Sequence, residues 1–337
     1  MTRTMRAVRL DEVGPPENLR LVEASVPEPG PDDMLIKVAL AGLIYGDTEA
    51  RRGTYFSRTV TPWFPGREAA GVVEAVGPNV TAWKPGDRVA ALILTLGCCA
   101  DYVIASTKPR PLANGHRAPP ADIVALPPEV SFGQALVYLV NFRLAHLVFH
   151  GSSRTPRGST VLVHGASGGM GSMITQLAHA HGCTVIATCR REVEDRFLRS
   201  IGADHVIDVS REDYVARSLE ITDGRGVGFS FNGVGGDTLS SDASVVAPFG
   251  EIQAYGYVAG KKPFDVFRVG KTLSLKTFAA DDFFSTPLFP TATEAMHAWF
   301  GSGPLLEPGL VLPLEEVVEA NRLLDRGEVL GKIALAT

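Results

Sequence analysis

A glycine-rich turn carries the strongest chemical pattern in this sequence. Gly165, Gly168 and Gly171 recur at every third residue between an apolar run at 160–164 and a helical segment. Such a turn lets backbone N–H groups approach a pyrophosphate, and the following helix directs its partial positive charge at the same anion. This strand–turn–helix context is the one that a dinucleotide-binding motif requires. The residues predicted to bind a dinucleotide here are Gly165, Ser167, Gly168, Gly169, Met170 and Gly171.

The next apolar run ends in two arginines, which bear on the identity of the dinucleotide. NAD-binding units usually place an acidic residue at the end of this strand, on the ribose 2′-hydroxyl, whereas an arginine nearby suits a 2′-phosphate. Here the run ends at Cys189, Arg190 and Arg191 follow, and the first carboxylate is Glu192. Guanidinium groups favour bidentate contacts with phosphate, so we predict NADPH as the cofactor. In the alternative interpretation, both arginines are solvated loop residues.

The elements that position these residues change character along the chain. The first hundred residues contain short apolar runs separated by turns with Pro and Gly, which is an all-β pattern. From about residue 130, after the N-cap candidate Ser131, apolar strands alternate with helical segments, which indicates βαβ units and a parallel sheet. The strands predicted there are 160–164, 183–188, 205–208, 227–231 and 252–257. An amphipathic helix at 314–324 and a strand at 331–336 follow.

Length and composition favour a globular protein of two domains. The chain has 337 residues, of which 45% are hydrophobic and 20% charged. A net charge of −5 gives no electrostatic reason to expect a nucleic acid as partner. We expect no apolar run of the roughly 18 residues that span a bilayer, and the first residues lack the apolar core of a secretion signal. The four cysteines include no C-x2-C pair. We therefore expect a cytoplasmic protein with no membrane partner.

Several segments match, in chain order, the landmarks of one family. These segments are 41–55, 64–71, 84–89, 100–103, 164–171 and 331–333. Together they resemble the zinc-free quinone oxidoreductases of the medium-chain dehydrogenase/reductase superfamily, whose relatives include zeta-crystallin-like proteins and 2-enoyl thioester reductases. The resemblance implies an α/β fold with a GroES-like, mostly-β catalytic domain at 1–128, completed by about 272–337, and a Rossmann cofactor domain at 129–271. It also implies a cofactor cleft between the domains and a homodimer.

The resemblance also bears on metal. Zinc-dependent members of the superfamily have Cys where this chain has Ile44, and His where it has Arg67. An isoleucine side chain cannot ligate a metal, and a guanidinium is always protonated and repels one. We therefore expect no zinc site.

The resemblance implies that Tyr55 is a catalytic residue, because it matches the tyrosine that enoyl thioester reductases offer near their substrate. A phenol with an ordinary pKa near 10 is protonated at neutral pH and can donate to the oxyanion of an enolate or quinol. A purely structural role in its loop is the alternative. The other residues expected beside the substrate or the cofactor are Tyr45, Arg52, Asn232, Gly256 and Thr277.

Three functions remain open at this point. The first is NADPH-dependent, zinc-independent reduction of a quinone or an activated C=C bond such as an enone. The second is reduction of a 2-enoyl-CoA or acyl-carrier thioester, for which Arg51, Arg52 and Arg58 would form a basic rim for the carrier phosphates. The third is nucleotide binding with little catalysis, as in a crystallin. The Pro-rich loop at 108–122 has no assigned role.

Overall fold

The structure is a computed structural model that describes residues 3–55, 58–95, 97–111, 117–280 and 286–337. It divides into two compact units. The first unit contains Met1–Val140 and Pro304–Thr337, and the second contains Asn141–Gly303. The second unit therefore runs beyond residue 271, where the sequence placed the end of the cofactor domain. Within the loop at 108–122, residues 112–116 lie outside the described residues.

The described chain contains seventeen strands and nine α-helices of the following bounds. The strands are β1 (Thr4–Leu10), β2 (Leu19–Ser25), β3 (Asp33–Leu43), β4 (Glu68–Val76), β5 (Arg88–Leu92), β6 (Tyr102–Ser106), β7 (Arg110–Pro111), β8 (Arg117–Ala118), β9 (Asp122–Ala125), β10 (Thr160–His164), β11 (Thr184–Cys189), β12 (His205–Asp208), β13 (Val227–Asn232), β14 (Val246–Ala254), β15 (Ser274–Thr277), β16 (Leu310–Pro313) and β17 (Ile333–Ala336). The α-helices are α1 (Tyr45–Arg52), α2 (Phe132–Leu139), α3 (Asn141–His146), α4 (Gly169–Ala180), α5 (Glu192–Ser200), α6 (Tyr214–Ile221), α7 (Asp237–Val245), α8 (Leu288–Ser302) and α9 (Val317–Arg326). Short 3-10 turns occupy Pro16–Asn18, Val266–Arg268 and Leu314–Glu316, and a π-helical turn occupies Leu147–Ser152.

The first unit is mostly β, as the sequence predicts. Its main sheet has the order β16-β17-β3-β4-β5-β9, and β6 also pairs with β3. The strand β17, near the end of the chain, runs antiparallel to β3, so the last residues complete a sheet that the first residues began. Apolar side chains from both parts of the chain form one buried cluster, which includes Ile36, Val89, Leu314 and Ile333.

The second unit holds a six-stranded parallel sheet in the order β12-β11-β10-β13-β14-β15. Counted from β10, this is the order 3-2-1-4-5-6 of the Rossmann fold, so the predicted fold is confirmed. The central strand β10 has β11 on one side and β13 on the other, and the order therefore reverses at its carboxyl end. In such sheets, ligands bind at the edge where the strand order reverses. The glycine turn follows β10 directly.

The helix that begins after Ser131 starts where the sequence predicts. Ser131 Oγ accepts a hydrogen bond from Gln134 N at 2.9 Å, and the Gln134 side chain accepts from Ser131 N at 3.0 Å. This reciprocal pair is a capping box. The helical run continues through α3 and the π-helical turn, so that Phe132–Ser152 is long and apolar enough to cross a membrane by length and composition alone. Its most apolar 18-residue stretch is 83% buried, as is usual for a core helix. The sequence expectation missed this run because polar residues interrupt its apolar pattern.

Candidate functional site

The glycine turn has the geometry that its sequence pattern predicts. Gly165 adopts a φ of 63°, in the left-handed region that favours glycine. A Cβ at Gly171 would lie 2.2 Å from the carbonyl oxygen of Gly165, so the first turn of α4 packs against the strand end more closely than any side chain would allow. Gly168 is the N-cap of α4, whose first backbone N–H groups lack partners within the helix. The turn therefore forms a cradle of backbone donors that fits a pyrophosphate.

The other predicted turn residues have distinct surroundings. A Cβ at Gly169 would lie 2.6 Å from Asn141 Nδ2, so this glycine accommodates a neighbouring side chain. Met170 is half-buried at the start of α4. Ser167 is also half-buried, and its hydroxyl donates to Glu194 Oε2 at 3.1 Å. Ser167 is thus engaged with a carboxylate from the neighbouring βα unit.

Beyond the end of β11, the two arginines lie beside a buried carboxylate. The side chain of Arg190 is exposed, whereas Arg191 is half-buried and forms the N-cap of α5. Arg191 Nε donates to Glu194 Oε1 at 2.6 Å, and the backbone N–H of Arg190 donates to Glu194 Oε2 at 3.2 Å. Only 3% of the Glu194 surface is exposed. Sequence reasoning stopped at Glu192 as the first carboxylate and missed Glu194, although a Glu at the third helical position is a known capping signal.

Asn232, the last residue of β13, holds the loop that follows it. Its Oδ1 accepts from the backbone N–H groups of Val234 and Gly235 at 3.0 and 2.8 Å. Its Nδ2 donates to Asp242 Oδ2 at 2.7 Å and to Thr238 Oγ1 at 3.0 Å. These bonds use both acceptor positions and both protons of the amide. The side chain of Asn232 therefore shapes the loop at the sheet edge, and a contact of this residue with the cofactor stays a prediction.

Asp242 is the centre of a buried network that sequence reasoning missed. This carboxylate is 0% exposed. It contacts His164 Nε2 at 2.8 Å and accepts from Tyr214 OH at 3.0 Å and from Ser230 Oγ at 2.7 Å. Burial and the Asp242 charge raise the pKa of Tyr214 far above its ordinary value, so the phenol keeps its proton as a donor. The network joins the ends of β10 and β13 to α6 and α7.

Gly256 and Thr277 lie at the same edge of the sheet. In the register of the parallel strands, His164 pairs with Asn232, Asn232 with Ala254, and Ala254 with Thr277. A Cβ at Gly256 would lie 2.4 Å from the carbonyl oxygen of Gly233, so the close approach that this glycine permits is to the neighbouring loop. Thr277 ends β15 and is exposed. The structure thus brings the predicted cofactor residues to the carboxyl ends of five adjacent strands.

In the first unit, Tyr55 lies against Arg67. Arg67 Nη1 donates to the Tyr55 hydroxyl at 2.9 Å, and the guanidinium carbon lies 4.6 Å from the centre of the Tyr55 ring. Arg67 Nε also lies 3.8 Å from Asp47 Oδ1. Burial raises the pKa of Asp47 to about 6, although the Arg67 charge acts in the opposite direction. Residues 56–57, which follow Tyr55, lie outside the described residues.

The other residues predicted near the substrate are placed differently. Ile44 precedes α1, and its backbone N–H donates to Asp47 Oδ2 at 3.1 Å. Tyr45 is half-buried at the first position of α1. Arg52 pairs with Asp325 Oδ1 at 2.8 Å, and Arg51, whose side chain is 1% exposed, pairs with Asp325 Oδ2 at 2.6 Å. The prediction that Arg51 contributes to a basic rim is therefore wrong, because this arginine is buried against α9.

Glu68 and Lys332, which lie far apart in the sequence within two of the segments that match the family, form a buried ion pair. Lys332 Nζ contacts Glu68 Oε2, and both side chains are almost completely buried. A Cβ at Gly42 would lie 2.6 Å from that Glu68 oxygen and 2.7 Å from Lys332 Cε. Gly42 in β3 therefore makes room for a pair that links β4 to the residue preceding β17.

Two families match this chain in sequence. Residues 30–113 match the alcohol dehydrogenase GroES-like domain, and residues 169–296 match the zinc-binding dehydrogenase family. The quinone oxidoreductase of Lama guanicoe is 31% identical over 340 residues, which cover 99% of this chain and 98% of the relative.

Solved structures match over nearly the whole chain. A mycobacterial protein in complex with NADPH superposes with a TM-score of 0.84 and 28% identity, over 98% of this chain and 100% of that one. The CurK enoyl reductase superposes with a TM-score of 0.83 and 25% identity, over 98% of this chain and 99% of that one.

Proposed function

This chain belongs to the quinone oxidoreductase branch of the medium-chain dehydrogenase/reductase superfamily, and we propose that it is an NADPH-dependent, zinc-independent reductase of a quinone or an activated C=C bond. The observation that carries this proposal is the glycine turn, in which Gly165 is left-handed and Gly171 lies against the Gly165 carbonyl. That arrangement leaves the first N–H groups of α4 available to a pyrophosphate. The NADPH complex of the mycobacterial relative supports the same cofactor.

The residues around the turn suit NADPH in two respects. The backbone cradle and the N-terminus of α4 would hold the pyrophosphate, and Arg190 and Arg191 lie beyond β11, on the side where the ribose 2′-phosphate would bind. Loops after β13, β14 and β15 would line the rest of the cofactor through Gly256 and Thr277, with Asn232 supporting the first of them. When bound, NADPH supplies the hydride for the reduction.

Zinc independence rests on Ile44 and Arg67. Their family positions hold zinc ligands in metal-dependent relatives, and neither side chain can serve as one. In addition, Arg67 is held by Tyr55 and lies near Asp47, so a permanent positive charge occupies this place. The charge that develops on the substrate oxygen must then be stabilised by hydrogen-bond donors rather than by a Lewis acid.

Tyr55 is the donor that we assign to that oxygen. A guanidinium only donates hydrogen bonds, so the phenol oxygen is the acceptor in the bond from Arg67, and the phenol retains its own proton as a donor. Tyr55 would thus donate to the oxygen of an enolate or quinol as the negative charge develops there.

Reduction of an enoyl thioester is the second candidate, supported by the likeness to the CurK enoyl reductase. A carrier such as coenzyme A presents phosphates, and a basic rim would help to bind them. Arg51 is buried. Arg52 and Arg58 are exposed, but the charge of Arg52 is already paired with Asp325, so the basic rim is smaller than the sequence predicted. The described residues therefore favour the quinone or enone substrate.

The test is the oxidation of NADPH, followed at 340 nm, with a para-quinone, with an enone and with crotonyl-CoA. We expect turnover with the first or second to exceed turnover with the thioester. Faster turnover of crotonyl-CoA would establish the second candidate instead. Tight NADPH binding without turnover of any substrate would support the nucleotide-binding role.

The Tyr55→Phe variant tests the catalytic assignment. Loss of one donor to a developing oxyanion is expected to lower kcat by between about a hundredfold and a thousandfold. Tyr102→Phe is a matched control, because Tyr102 also contacts an arginine, Arg3, through its hydroxyl and its ring. An equal loss of kcat in both variants would contradict the assignment of Tyr55.

A further inference from the structure

Glu194 occupies an anion-binding site formed by two βα units of the parallel sheet. Three donors surround its carboxylate: the Ser167 hydroxyl at 3.1 Å, the Arg190 backbone N–H at 3.2 Å and Arg191 Nε at 2.6 Å. The side chain is 3% exposed, so this charge is withdrawn from solvent. The site is therefore already filled by an anion that belongs to the chain.

The donors around Glu194 are those of a phosphate site. A hydroxyl, a backbone amide and a guanidinium commonly bind phosphate oxygens together. They converge between the turn after β10 and the end of β11, where a nucleotide in this fold places its ribose 2′ substituent. The 2′-phosphate of NADPH and the Glu194 carboxylate would thus compete for the same donors, Ser167 and Arg191.

We propose that Glu194 is a specificity-determining residue that narrows the preference of this protein for NADPH over NADH. Binding of the 2′-phosphate to Ser167 Oγ or Arg191 Nε requires the carboxylate to release that donor, and the two negative charges repel each other if the carboxylate stays. A ribose 2′-hydroxyl carries no charge and can donate to the same carboxylate, as acidic residues do in NAD-binding units. The inference rests on the proposed binding of NADPH, and it predicts measurable binding of NADH as well.

A second role of Glu194 must be separated from this one. It stands at the third position of α5 and accepts a backbone N–H from the residues before the helix, so it also stabilises the helix start. A glutamine at this position keeps one acceptor oxygen, which can serve that bond, while it removes the charge and replaces the other oxygen by an NH2 group. Glu194→Gln therefore tests the charge while it preserves the cap.

Glu192→Gln is the matched control. Glu192 lies in the same first turn of α5 and carries the same charge, but its side chain is 82% exposed and pairs with Arg211 at 3.3 Å. The variant removes one negative charge from the same helix end without a change to the donors around Glu194. Thermal unfolding of all three proteins checks that the cap of α5 is intact.

The experiment measures dissociation constants of NADPH and NADH by isothermal titration calorimetry for the wild type and both variants. In Glu194→Gln the ratio of the dissociation constant of NADH to that of NADPH is expected to rise about tenfold, because one charge-assisted hydrogen bond has about this effect on binding. In Glu192→Gln it is expected to change by less than about twofold, since an exposed ion pair contributes little.

An unchanged or lowered ratio in Glu194→Gln would overturn the inference while leaving NADPH binding by the wild type in place. An equal rise in both variants would also overturn it, because the effect would then come from the general charge of the helix end. Failure of the wild type to bind either nucleotide would overturn the proposed function together with the inference.

Discussion

The two units stabilise a fully buried carboxylate in different ways. Each contains a carboxylate with no exposed surface, Glu68 in the first unit and Asp242 in the second. Glu68 is neutralised by a single opposite charge, that of Lys332. Asp242 instead contacts an imidazole, a phenol, a hydroxyl and an amide. A buried carboxylate can thus be stabilised by one cation or by several shared hydrogen bonds.

The difference has consequences for how each unit responds to change. An ion pair depends on both partners, so the loss of one leaves a full charge without compensation in the protein interior. A network loses one bond at a time, and the remaining donors continue to solvate the charge. The pair connects β4 to the C-terminal residues, whereas the network fixes the loops at the cofactor edge of the sheet.

The largest expected effect is that of Lys332→Met. This variant should lower the free energy of unfolding by about 3–5 kcal/mol, because Glu68 stays buried without its cation. The measurement is urea denaturation of the variant and the wild type at the same pH. Lys37→Met is the control, since Lys37 is an exposed lysine in β3 of the same sheet. The double variant Glu68→Gln/Lys332→Met should recover much of the loss, and no recovery would contradict the proposed dependence on charge.

Asp47 is an intermediate case, because the contact with its cation is long, with Arg67 Nε at 3.8 Å from Asp47 Oδ1. Its pKa is raised by burial from an ordinary value of 3.8 to about 6, so the folded chain holds the proton more tightly than the unfolded chain does. The stability that this proton contributes is complete below pH 3.8 and is lost as the pH rises through 6. Relative to Asp47→Asn, the wild type should therefore lose about 2 kcal/mol of unfolding free energy between pH 4 and 6.5. Urea denaturation at several pH values measures this, and a constant difference would contradict it.

Substitutions in the network of the second unit should lower the free energy of unfolding by less. Asp242→Asn is expected to cost about 2 kcal/mol, because the new amide protons face the donors of Ser230 and Asn232. Tyr214→Phe removes one donor only and is expected to cost about 1 kcal/mol. Asp237→Asn should leave the unfolding free energy nearly unchanged, since Asp237 is an exposed residue of the same helix. If Asp242→Asn lowered the free energy of unfolding as much as Lys332→Met does, the proposed difference between a network and a single ion pair would be contradicted.

Much of the fold could be predicted from the sequence, because its signals are local. The glycine turn was recognised because Gly165 and Gly171 occupy positions that other residues cannot adopt or fit. The alternation of apolar strands with helical segments predicted the parallel sheet, and Ser131 marked a helix start. The boundary of the second unit was less predictable, since the helix Leu288–Ser302 packs with it although it follows the last strand of the sheet.

The candidate site was predicted only in part. Tyr55 was singled out by resemblance, but its contact with Arg67 was not foreseen. Asn232 was expected to contact the cofactor, and its amide proves to be fully engaged in holding a loop. Glu194 was passed over, because nothing in its local sequence shows that its carboxylate reaches back to Ser167.

By itself, the sequence determined the order of elements and the dinucleotide turn, because residue type and spacing suffice for each, and its resemblance to the family matched Ile44 and Arg67 to the zinc-ligand positions of metal-dependent relatives. Only the tertiary structure determined which partners contact each buried charged group. Lys332 reaches Glu68, and the donors to Asp242 come from three separate elements, β10, α6 and β13. Since a charge withdrawn from water must find a partner wherever the fold brings one near, these partners are set by packing and not by sequence spacing.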